Sequence, residues 1–63
     1  MTKERMVELW RMGHTKEWLV QQQNLEIQNL DRVRGLNKKQ IRTMAQLDVE
    51  DALLEWWRKQ GNE

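Results

Sequence analysis

The segment DVEDALLEWWRK, Asp48 to Lys59, carries the clearest periodicity in the chain. Val49, Ala52, Leu53, Trp56 and Trp57 recur at i, i+3, i+4, i+7 and i+8, the spacing that lines one face of an α-helix. Asp48 and Asp51 lead the segment and Arg58 and Lys59 close it, so anions lie at the positive end of the helix dipole and cations at the negative end. The two acids also fit an N-cap and the N3 position, and Glu55 is placed to pair with Lys59 one turn on. The segment therefore predicts an amphipathic helix that begins at Asp48. A helix running unbroken from upstream would put Asp48 on the face of Ile41 and Ala45, which favours a break at this residue.

Working back from Asp48, Asn37 followed by Gln40 has the form of a capping box, and Ile41, Met44 and Ala45 supply a short apolar stripe behind it. Gly35 marks the preceding turn. At the amino end, Thr2 is a candidate N-cap for a helix that buries Met6, Leu9 and Trp10 and stops at Gly13, with Thr15 capping the next. Between Thr15 and Arg34 the period is less regular. Apolar pairs fall at Trp18 and Leu19, Leu25 and Ile27, and Leu30 and Val33, with glutamines where a third contact belongs, Gln23 among them. One long helix ending at Gly35 and two helices meeting near Asn24 both fit. The second is preferred, because asparagine tolerates left-handed geometry.

Good helix formers dominate the chain of 63 residues, and neither Phe nor Tyr is present to support strands. The expected fold is all-α: a single domain over residues 1–63, a compact bundle of three to five short helices. A chain of this size buries too little surface for comfortable stability, and without cysteine it has no disulfide to add. Completion by homodimerisation is the expected remedy. No apolar run approaches the length of a membrane span or of a signal-peptide core, so the chain is expected to be complete and cytoplasmic, with no membrane partner.

Several chemistries lack their residues. Nucleophilic and acid–base catalysis are poorly served by a chain with no Ser, Cys or Tyr, one histidine and three threonines, so no enzymatic activity and no small-molecule substrate are expected. His14 and Glu17 could share a helix face, but zinc requires three or four ligands and no second His or Cys cluster occurs. Asp48, Asp51 and Glu55 line one face, yet capping and the Lys59 pair explain them. The three glycines are scattered and form no phosphate-cradling loop. No metal and no cofactor are expected.

The net charge is only +1, but it is unevenly spread: Arg32, Arg34, Lys38, Lys39 and Arg42 are gathered between positions 31 and 42 against Asp31 alone. This basic segment surrounds a glycine turn, and two registers resemble a helix-turn-helix. In one, Leu30, Gly35, Leu36, Asn37, Ile41 and Met44 take the apolar, turn and capping positions, leaving Lys38, Lys39, Gln40, Arg42 and Thr43 on a recognition helix. Asp31 and Arg34 depart from the pattern, at a position that wants a small residue and at one normally buried. In the other, Asn24 and Leu25 make the turn, Leu30 and Val33 anchor the second helix, and Gln28, Asn29 and Arg32 face the bases. That register is similar to the three-helix homeodomain-like and recombinase modules. DNA binding through residues 26–44, as a small regulator or recombination accessory protein, is the alternative expectation.

All four aromatic residues are tryptophans, at 10, 18, 56 and 57. Trp10 and Trp56 are the best candidates for the core. Trp57 with Leu54 and Arg58, and also Trp18, are candidates for an exposed partner-binding patch, since Trp beside Arg is the favoured composition of a binding hot spot. The leading expectation is a small non-catalytic regulator or inhibitor that binds a protein stoichiometrically. Its Trp and Leu patch would dock apolar surface while the basic segment, Arg32, Arg34, Lys38, Lys39, Gln40 and Arg42, selects an acidic partner.

Overall fold

The hydroxyls of Thr2 and Thr15 each accept a hydrogen bond from an amide of the turn that follows, from Arg5 N at 3.2 Å and from Trp18 N at 3.1 Å. They open two helices in the computed structural model, which describes residues 1–61: α1, Lys3–Arg11, and α2, Lys16–Gln28. Between them Gly13 adopts φ +105° and gives its amide to the Trp10 carbonyl, while the His14 amide reaches the Leu9 carbonyl. This closes the carboxyl end of α1 in the left-handed geometry that glycine reaches without a Cβ penalty. A 3-10 turn at Asp31–Val33 follows α2, and α3, Lys38–Lys59, completes the chain. The Asn37–Gln40 capping box is formed in both directions, with Gln40 N to Asn37 Oδ1 at 2.8 Å and Asn37 N to Gln40 Oε1 at 2.9 Å. The described residues are all-helical and contain no strand, as expected from composition.

Helix α3 is the common support on which α1 and α2 pack. It turns Ile41, Ala45, Val49 and Ala52 inward along one stripe, and all four are buried. Two of these residues are alanines, so neighbouring helices can approach closely. Met6 and Leu9 of α1, Leu19, Val20 and Ile27 of α2, and Val33 of the 3-10 turn complete a single core. The molecule measures 39 × 22 × 16 Å, and the 22 residues of α3 at about 1.5 Å each run nearly its full length.

Three expectations are corrected. Helix α3 does not break at Asp48: its carboxylate, carried beside the core, accepts a hydrogen bond from Gln23 Nε2 at 3.1 Å. The polar side chain that disfavoured a continuous helix thus has a partner on α2. Helix α2 neither breaks at Asn24 nor continues to Gly35. Asn24 Oδ1 takes a hydrogen bond from Gln28 Nε2 at 2.9 Å, an i, i+4 link that supports the helix. The end comes at Asn29, whose side-chain amide donates to the Leu25 carbonyl at 3.1 Å. The third correction concerns the tryptophans. None is fully buried; Trp10 retains 38% of its surface and Trp56 is half-buried. A core of aliphatic side chains with α3 on one side has no second layer to close over an indole ring.

Candidate interaction surface on helix α3

Because α3 is continuous, its outer surface is a single face, and the sequence sets two leucines on it. Leu47 and Leu54 are seven positions apart, within about 20° of each other around the helix, and both lie roughly opposite the buried stripe. They are 59% and 46% exposed, and Trp57, one turn beyond Leu54, is 46% exposed. Thr43 continues the same face one turn before Leu47. Arg58 is exposed beside Trp57. Leu54, Trp57 and Arg58 are therefore all exposed on the second half of α3. Leu47 was missed, since a helix starting at Asp48 conceals its register with Leu54.

Trp18 belongs elsewhere. It sits on the first turn of α2, half-buried against the core, and the His14 ring stacks on its indole at 3.9 Å between centroids and 13° between planes. One face of this indole is thus already covered.

The basic residues cluster at the opposite end of α3. Arg32 and Arg34 are exposed around the 3-10 turn, and Lys38, Lys39, Gln40 and Arg42 are exposed on the first turns of α3. Elsewhere four of the six side-chain cations are matched, Lys3 with Asp51 at 2.8 Å and Glu55 at 3.0 Å, Arg5 with Glu8 at 2.8 Å, Lys16 with Glu50 at 2.7 Å, and Lys59 with Glu55 at 3.4 Å, while Arg11 and Arg58 have no carboxylate within ion-pair distance among the described residues. In the basic segment only Arg34 approaches a carboxylate, Asp31 at 3.8 Å, among the described residues. Arg42 and Trp57 are fifteen residues apart, or about 22 Å along the helix axis. The basic cluster and Trp57 thus lie toward opposite ends of α3, a separation that an interface burying about 800 Å² per partner would span.

The ion pairs also bias titration. The hydrogen bond from Lys16 holds Glu50 below the usual carboxylate range, and Lys3, assisted by Lys59, does the same for Glu55. In return, the hydrogen bonds to Asp51 and then Glu55 raise Lys3 above its ordinary value. These groups sit at the surface, where such pairs contribute little to stability.

Neither helix-turn-helix register is built as anticipated. Asn24 and Leu25 lie inside α2, so the second register has no turn there. In the first, the supporting helix is replaced by the 3-10 turn, with Leu30 extended at φ −90° and ψ 131° before it. Val33 supplies the buried contact, and Arg34 stays in solvent. Among the described residues no three His, Cys, Asp or Glu side chains are grouped to hold a metal ion, and no helix is long and apolar enough to cross a membrane. No protein family, curated protein or solved structure matches this chain.

Proposed function

We propose that this protein is a non-catalytic regulator or inhibitor that works by stoichiometric binding to a protein partner along the outer face of α3. Leu47, Leu54 and Trp57 dock apolar surface, Arg58 flanks them, and the basic end engages acidic groups of the same partner. The observation that carries this reading is the Leu47, Leu54, Trp57 stripe, exposed on a continuous helix whose opposite face already fills the core. Apolar side chains in register on a solvent face mark interaction sites, whereas scattered ones do not. The heptad spacing of Leu47 and Leu54 favours a second reading, in which the stripe pairs with a second copy and the chain is a homodimer.

Solution mass, measured for the full chain alone and with a short DNA duplex at low and high salt, tests both readings. A monomer that does not retain DNA leaves the stripe free for a different protein. A dimer that Leu54→Asp converts to monomer supports the second reading. Salt-sensitive DNA retention that Leu54→Asp leaves intact, and that Arg42→Ala with Lys39→Ala removes, would replace both with nucleic-acid binding.

A further inference from the structure

The basic end borders a second concavity, separate from the outer stripe of α3. Helices α2 and α3 run antiparallel: Lys16 at the start of α2 meets Glu50, and Gln28 at its end lines the same groove as Arg42. The groove between them encloses about 660 Å³, within the range of small-molecule and short-peptide clefts. Val20 and Leu25 give it an apolar strip, Gln21, Gln28 and Gln46 provide side-chain amides, and Arg42 stands in one wall. Leu25 is 52% exposed although it lies on a packed helix.

Charge along the groove is graded. Its far end carries Glu17 and the mutually neutralised Lys16 and Glu50. Its near end has Arg42, with the exposed Lys38 and Lys39 on the first turn of α3 and the exposed Arg32 on the 3-10 turn that precedes it. None of these four cations has a carboxylate within ion-pair distance among the described residues. A ligand that matches this layout places carboxylates at the Arg42 end and an aliphatic side chain over Leu25. The four tryptophans all lie outside the groove, so it offers no aromatic platform for bases, the usual device for holding a single strand.

We propose that the α2/α3 groove binds an acidic, leucine-bearing amphipathic peptide segment of a partner protein, with its carboxylates at Arg42 and the basic end and its apolar face on Leu25. The proposal rests on the reading of the basic end as a surface for acidic protein, and it adds the site and the chemistry of the segment. An occupant helix of about 12 residues would be about 18 Å long, comparable to α2 beside it.

The probe is a synthetic peptide of about 12 residues built from Glu, Asp and Leu in amphipathic helical spacing. It is titrated into the ¹⁵N-labelled full chain in parallel with its Gln and Asn counterpart and with a short DNA duplex. Saturable shifts are expected at Leu25, Gln28, Arg42 and Gln46. The acidic peptide should bind at least about tenfold more tightly than the neutral one. Leu25→Glu and Arg42→Glu, each at an exposed position and checked for helical content, should each abolish these shifts, while Leu54→Asp leaves them in place. Shifts centred on Leu47, Leu54 and Trp57, no saturable binding, or displacement of the peptide from these residues by the duplex would overturn the groove. In the first of these outcomes the outer-stripe reading survives while the groove fails.

Discussion

Gly13 holds φ +105°, and nothing lies within 4 Å of a Cβ added there, so substitution at this position is opposed by backbone strain alone. Gly13→Ala is expected to cost about 1 kcal/mol in chemical denaturation. Gly35 has open space around it as well and carries no positive φ, so Gly35→Ala should be neutral or stabilise by a few tenths of a kcal/mol, roughly, through the unfolded chain. An equal loss at both positions would refute the assignment of the α1 end. Gln23 is only 7% exposed, donates to Asp48 and accepts from the amino group of Met1 at 3.0 Å. Truncation to Ala removes both hydrogen bonds and leaves a gap, at an expected cost of about 1–3 kcal/mol by thermal or urea unfolding. Gln23→Leu should recover part of that by filling the space. Gln23 could be recognised in the sequence as a glutamine on a core position. Its partner could not, because Asp48 is 25 residues away and is recruited by tertiary packing.

At the scale of elements, the caps at Thr2, Thr15 and Asn37 were legible because each depends on residues within three positions. The continuity of α3 was not. Local rules weigh Asp48 as a helix starter, whereas in the fold it is exposed within α3 and accepts a hydrogen bond from Gln23. The same local view hid the exposed stripe, because Leu47 and Leu54 share a face only if the helix passes through Asp48. A double-substitution cycle tests the continuity. With Gln23→Leu already in place, Asp48→Ala should change stability by less than about 0.5 kcal/mol, since alanine is the better interior residue. A true N-cap would lose about 1 kcal/mol. Conversely, Asn37→Ala should cost about 1 kcal/mol, because it opens the capping box that starts α3.

For the molecule as a whole, charge and apolar surface are distributed along the long axis of α3. Lys3, Arg5, Lys16 and Lys59 are balanced by acids, whereas Arg32, Lys38, Lys39 and Arg42 at the junction of α2 and α3 have no carboxylate partner among the described residues. The lowered titration of Glu50 and Glu55 sets the sign of one global test. A depressed folded value contributes stability that is complete above the ordinary carboxylate value of 4.5 and is lost as pH falls through the folded value. The thermal midpoint should therefore decline below about pH 4.5, and Lys3→Met with Lys16→Met should flatten that decline. Lys3 titrates in the opposite sense: its contribution is complete below 10.5 and lost only in stronger alkali, outside the acid window. An unchanged acid slope in the double variant would show that these surface pairs contribute nothing measurable. Composition was enough to anticipate an all-helical chain. The gap of about 22 Å between Arg42 and Trp57 required a continuous α3 before it could be stated.

The most direct test of binding through the outer face is site-specific photo-crosslinking of the full chain in cell extract. The reactive group replaces Leu54 or, as a control, the exposed Glu8 on α1. A discrete protein adduct of fixed stoichiometry from position 54, absent from position 8 and lost when Leu47→Asp is added, is the expected result. No adduct at 54, or the same diffuse products from both positions, would contradict the outer face of α3 as the working surface.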